Sequence, residues 1–226
     1  MKKHTTEYFS PHATLCALGA KINSLKPFDT ICEQVHIHQK SVKHKPVEKL
    51  YDAFIAILSG AHGLCELNTR LRSDTALQRA FGRQACAEQS VVQETLNACS
   101  ETNVSQMRQA FNEILRQYRR AFSHNYRRAW QLFDIDLIGL PCGKKAELSH
   151  KRYFSKAGIR YGRQLGRVVA TLYQEVILDQ LYSGNALLSH ALRPLIIAAE
   201  EVLGLTEYKR SRTILRVDAG EAHLMT

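Results

Sequence analysis

The hydrophobic period of this chain changes once, near residue 129, and that change limits what it can fold into. Before it, apolar residues recur at three- and four-residue spacing. Val47, Leu50, Tyr51, Phe54, Ile57 and Leu58 form one such series; Met107, Phe111, Ile114, Leu115 and Tyr118 form another. This spacing lays an apolar stripe along a helix, so two helical hairpins or a small bundle are expected there. After residue 129 the apolar runs are short and rich in β-branched residues. Residues 130–140, 167–173, 175–181 and 213–217 read as strands, and 189–203, closed by Gly204, reads as a helix before the last of them. A hairpin meander followed by a helical crossover to a parallel strand opens a mixed sheet, with the last strand beside the first. The expected fold class is α+β: a helical region over 1–128 and a sheet domain over 129–226.

Within the helical region, residues 76–83 and 88–96 read as helix, glycine-bearing turn, helix. The first is entered at Ser73 or Asp74 and the second at Ala87 or Glu88. A helix-turn-helix has this layout and presents the first polar residues of its second helix to a major groove, which here are Gln89, Ser90 and Gln93. An ordinary helical hairpin shares the pattern, so the reading needs support from charge.

The 226 residues carry 31 Lys+Arg against 21 Asp+Glu, a formal charge of +10. The excess is uneven. One cluster spans 36–49, with Lys40, Lys43, Lys45, Lys49 and three histidines; a second spans 116–128, with Arg116, Arg119, Arg120, Arg127 and Arg128; a third spans 144–167 and includes Arg160, Arg163 and Arg167. Any one of these can be a solvated face, but three in one chain suit a polyanion, because neutralised phosphates release counterions. The glycine pair Gly162 and Gly166 is expected to mark a tight basic turn from which Arg160, Arg163 and Arg167 reach phosphates.

Acids inside apolar strands carry the chemistry. Asp134 and Asp136 interrupt the first strand, and Asp218 closes the last one beside Ala219 and Gly220. A buried unpaired carboxylate is costly, so such a group binds a cation or pairs with a base. If the two strands are parallel neighbours, Asp136 and Asp218 converge near their ends, and converging carboxylates suit Mg²⁺. The alternative is that Asp134 or Asp136 pairs with an arginine and Asp218 caps a turn.

Other chemistry is poorly represented. The six cysteines form no CxxC pair and read as reduced thiols. His36, His38 and His44 have no further ligand at zinc spacing, and there is no Gly-x-Ser-x-Gly elbow or phosphate-cradling Gly-Lys-Ser/Thr. No run of 18 apolar residues and no secretory leader is present, so a cytoplasmic chain without membrane contact is expected.

Several segments then line up with one family. Residues 136–141 (Asp-Leu-Ile-Gly-Leu-Pro), 151–154, 162–168, 179–184 and 215–220 (Leu-Arg-Val-Asp-Ala-Gly), with 46–50 and 86–92 upstream, resemble in collinear order the bacterial insertion-sequence transposases of the DDE type that have a ribonuclease-H-like catalytic domain. The resemblance implies a helical, helix-turn-helix-like DNA-binding region followed by the first part of a ribonuclease-H-like sheet: three strands, a helix and a strand. It implies Asp136 and Asp218 as the first two catalytic, Mg²⁺-binding carboxylates, transposon-end duplex DNA as partner, a homo-oligomer or partner chain when active, and a nucleoid-associated location. Ile138 stands where the family usually has a small polar residue. The family's third carboxylate, a Glu on a downstream helix, has no counterpart here, since Glu221 is too close to Asp218, so a chain truncated after the second Asp is expected. A catalytically inactive DNA-binding remnant or regulator of transposition is the alternative. Without the remaining strand and helices, the edge beside 213–218 is expected to be uncovered and the chain poorly soluble.

Overall fold

The computed structural model describes residues 7–40, 43–154 and 158–217. The chain divides into two compact units, Met1–Gln117 and Tyr118–Thr226. The division falls before the expected boundary, because residues after Gln117 pack with the sheet: Ala121 and Tyr126 are buried in its core.

The first unit is helical: α1 Ala13–Leu25, α2 Phe28–Gln34, α3 Pro46–Leu58, α4 Leu67–Arg70, α5 Thr75–Ala80, α6 Gln89–Asn97 and α7 Glu101–Tyr118. Ile55, Leu67, Leu71, Leu77, Phe81 and Val92 form one core, and Ile31, Val35, Ile37 and Ala110 a second, against which Val47, Leu50, Met107 and Ile114 pack. Of the apolar series on α3, Val47, Leu50, Tyr51 and Phe54 pack against these cores, while Ile57 and Leu58 are exposed. Ile57 is 69% exposed, while Lys49, Asp52, Ile55 and Ala56 are buried.

Asp52 is tolerated because it is fully engaged. Its carboxylate accepts from Arg83 Nε (2.7 Å) and Nη2 (3.2 Å) and from the Ala87 backbone N–H (2.8 Å). Arg83 also donates to Glu48 Oε1 (2.9 Å). This network ties α3 to the α5–α6 connection. That connection is pinned further by Gln78, which donates to the carbonyls of Leu71 and Arg72 and accepts from the Cys86 N–H. Asp74 is the cap of α5, accepting from the Leu77 N–H at 2.8 Å, and Gly82 turns the chain with φ +75°. The helix–turn–helix order is therefore present, with Glu88 as the cap position of α6.

The second unit is built on a mixed sheet: β1 Gln131–Pro141, β2 His150–Phe154, β3 Gly158–Ala170, β4 Glu175–Tyr182 and β5 Thr213–Val217, with α8 Leu188–Leu203 and α9 Glu207–Arg210 between the last two strands. β1 pairs antiparallel with β3, from Phe133↔Ala170 to Pro141↔Gly162, and parallel with β5, from Gln131↔Thr213 to Ile135↔Val217. The other edge of β3 takes β2 near its start and β4 toward its end. Four strands joined by antiparallel pairing, one more than expected since β2 is not among the strands read from the sequence, a crossover helix and a strand parallel to the first give the expected α+β class. α8 covers one face, with Ala191, Leu195 and Ala199 buried against Phe133, Ile135, Val168 and Ala170.

One element departs from expectation. Gly162 and Gly166 lie inside a continuous strand and mark no turn. A Cβ at Gly139 or Gly162 would collide with the Phe154 ring, and one at Gly166 would meet Tyr182 and Leu195 at 2.7 and 2.8 Å. These glycines make room for large side chains lying across the sheet.

Among the described residues β5 pairs only with β1, and its Ile214, Leu215 and Val217 are 49%, 43% and 37% exposed. An apolar edge of this kind favours pairing with another chain. Ile214→Lys is expected to lower self-association of the purified chain, read by light scattering against concentration. Asp52→Ala strands a buried guanidinium, and denaturant unfolding should show a loss of about 3–5 kcal/mol. Burial raises the Glu48 carboxyl, but the Lys45 N–H and Arg83 outweigh it and hold it below its ordinary 4.5. The stability it contributes is complete above 4.5 and is lost as pH falls through the lowered value. Wild type should therefore lose more stability than Glu48→Gln as pH falls from above 4.5 through the lowered value, read by chemical denaturation.

Candidate functional site

Strand geometry decides which side chains of β1 are available. Side chains alternate across a sheet, so Phe133, Ile135 and Leu137 face α8 and its core while Leu132, Asp134, Asp136 and Ile138 face away. The same alternation sets Leu165, Arg167 and Val169 of β3, and Ile214 and Arg216 of β5, on that second face.

On this face two ion pairs flank one carboxylate. Asp134 is gripped by Arg216 of β5 in a fork, Nε to Oδ1 at 2.5 Å and Nη2 to Oδ2 at 2.6 Å, and this hydrogen bonding holds its carboxyl below the usual range. Arg167 of β3 makes the corresponding fork with Asp179 of β4, with both contacts at 2.7 Å. Asp136 stands opposite Arg167 in the β1–β3 register, yet the Arg167 guanidinium is turned to Asp179. Asp136 is exposed, and the hydrogen bond recorded for its carboxylate comes from the Leu137 N–H, at 2.7 Å. The two acids of the strand thus separate: Asp134 takes the arginine pairing, and among the described residues Asp136 accepts one hydrogen bond of the four its oxygens can take. The strand also holds these acids differently from the sequence expectation, outside the core rather than within it.

An outward carboxylate without an ion pair is the kind of oxygen donor Mg²⁺ accepts, and the site needs at least one more protein ligand of that type. Asp218, the expected second ligand, lies outside the described residues, and the β1–β5 register is described up to Ile135↔Val217. Among the described residues no three His, Cys, Asp or Glu side chains converge as a metal-binding group.

The basic residues separate in the same way. Arg119 is half buried: its Nη1 donates to the Ile177 carbonyl at 2.8 Å and burial lowers its guanidinium, so it braces β4. Arg120 is exposed, with its guanidinium 5.1 Å from the Tyr173 ring centre. Arg160, Arg163 and Arg167 do not gather at a turn. They lie along β3, Arg160 on one face and Arg163 and Arg167 on the other. Arg160 is exposed; Arg163 is partly buried, and its Nε has no hydrogen-bond partner. Of the α6 residues expected to read DNA, Ser90 and Gln93 are exposed, the latter donating to Asn97 Oδ1 at 2.9 Å, while Gln89 is half buried with its N–H on Asn68 Oδ1.

Sequence reasoning missed Asp179 as the partner of Arg167 and Arg216 as the partner of Asp134. Opposite charges at those positions are visible, but pairing them requires the strand register. It also missed Lys49 as a buried cation in the first unit. All six cysteines are free thiols, and no described helix is long and apolar enough to cross a membrane. No protein-family model, no curated protein and no solved structure matches the chain.

Proposed function

We propose that the chain acts on duplex DNA as a DDE-type transposase or a truncated fragment of one. In this reading the helical unit binds transposon-end DNA through Ser90 and Gln93 of α6 and the basic residues around it. The sheet unit contributes Asp136 as a carboxylate ligand of Mg²⁺, with Asp218 as the second. The observation that carries the reading is the isolation of Asp136: on the central strand, the two arginines that strand register sets beside its acids, Arg167 and Arg216, are committed to Asp179 and Asp134, which among the described residues leaves this carboxylate exposed and without an ion pair. A carboxylate kept only for structure would be expected to take one of those arginines. Bound Mg²⁺ would supply charge stabilisation for attack on a phosphodiester and departure of the leaving oxygen. The residues of the chain would hold the ion and keep its surroundings nearly neutral, since the Asp134–Arg216 and Arg167–Asp179 forks cancel beside it.

A homo-oligomer or partner chain during strand transfer, and a place on the nucleoid, belong to the same proposal. A second reading is a DNA-binding remnant or regulator that cuts nothing. It is favoured by the single carboxylate found at the site among the described residues.

The two readings part in one assay. Purified chain is incubated with Mg²⁺ and duplexes covering the DNA that flanks its gene, and nicking is followed alongside binding. Strand cleavage by wild type, falling at least about a hundredfold in Asp136→Ala with binding retained, is the expected outcome. Binding without cleavage would favour the remnant, and absence of duplex binding would remove both.

A further inference from the structure

The first unit holds a cavity of ≈ 370 Å³ that the DNA-reading residues do not use. It lies between the segment before α3, α3 itself and the start of α6, and four cationic side chains line it: Lys40, Lys43, Lys49 and Arg72. The carboxylates at its wall are Glu88 and Glu94, and Glu88 is taken by Arg72 at 2.8 Å.

Lys49 makes this more than a basic surface. It is 3% exposed, and its Nζ donates to Gln39 Oε1 at 3.1 Å, an acceptor already shared with the Thr95 hydroxyl at 2.7 Å. The acids nearest to it in sequence, Glu48 and Asp52, are both engaged by Arg83. An ammonium has three N–H donors, so two remain for a ligand, and a buried cation without a counter-charge is unfavourable until an anion meets it. The ligand that matches is compact, multiply charged and rich in acceptor oxygens. A phosphate group has those properties, and lysine binds it as a point charge. Exposed Lys40 and Lys43 stand at the mouth, where they would meet the anion first.

We propose that this cavity seats one backbone phosphate of a polynucleotide beside α6, with Lys49 at its floor. The polynucleotide part rests on the DNA-binding reading above; the phosphate chemistry does not.

The experiment uses the full chain in two arms. In the first, ¹⁵N-labelled protein is titrated with inorganic phosphate at constant ionic strength, and the amides of Cys86 and Val91 are followed; chloride is the control anion. In the second, a fluorescent duplex is titrated by anisotropy over a range of salt. Lys49→Met is compared with the exposed pair Lys40→Gln and Lys43→Gln, which removes charge at the mouth without touching the core. Saturable phosphate shifts in wild type that vanish in both variants are expected, with a slope of log K against log salt that falls by about one. Duplex binding with unchanged affinity and slope in both variants overturns the cavity proposal and leaves the DNA reading standing. Phosphate shifts without any duplex binding by wild type keep the anion site and overturn the polynucleotide as its source. No response in either arm overturns both parts.

Discussion

The sheet unit depends on β1 being paired on both edges. With β3 antiparallel on one side from Phe133 and β5 parallel on the other from Gln131 to Ile135, the start of β1 is held inside the sheet, and α8 closes one face over Phe133 and Ile135. Strand geometry then leaves no choice about the even-numbered residues: Asp134 and Asp136 must point away from the helix. A one-residue slip would drive both carboxylates into the apolar layer and expose Phe133, so burial fixes the register strongly. The position of the candidate ligand is thus set by hydrophobic packing on the opposite face of the strand, and the acids themselves contribute little to choosing it.

The helical unit solves a different problem, the burial of charge on a packed helix face. Lys49 and Asp52 lie one turn apart on α3 and are both buried. Asp52 accepts two guanidinium contacts and a backbone N–H, which repays much of its desolvation. Lys49 has an amide oxygen instead of a carboxylate, although Asp52 is close in sequence and of the right sign. Arg83 holds Asp52 and Glu48 together, its planar guanidinium presenting pre-oriented donors to both oxygens of Asp52. The arginine that secures the α5–α6 connection is therefore also the reason that Lys49 retains free donors.

How much of this was legible in the sequence follows from which interactions are local. The strand 213–217 and the helix after residue 188 could be read directly, since an apolar run between a cap or turn and a glycine needs no knowledge of neighbours. β2 and the first half of β3 could not. Their apolar alternation is interrupted by Gly158, Gly162 and several arginines, and Gly162 becomes intelligible only once the Phe154 ring is seen lying over it. The burial of Lys49 and Asp52 on α3 was missed for a related reason: a lysine and an aspartate look solvent-facing until Arg83, distant in sequence, supplies the charge that allows Asp52 inward. At the site, an acid in an apolar strand was a correct signal for something unusual, but which acid stays unpaired is decided by Arg216 and Arg167, whose partners are fixed by register.

The distribution of charge gives these local results a common sense. A net charge of +10 could be spread as a uniformly basic surface, and it is not. On the open face of the sheet Arg216 and Arg167 are answered by Asp134 and Asp179, while Arg163 farther along β3 on the same face has an Nε with no hydrogen-bond partner among the described residues. Around the cavity of the helical unit the balance is reversed, with cations in excess and one of them buried. The two forks occupy the arginines that strand pairing brings closest to the acids of β1, whereas the helical unit leaves its surplus cations around an open cavity and buries one of them behind an amide oxygen.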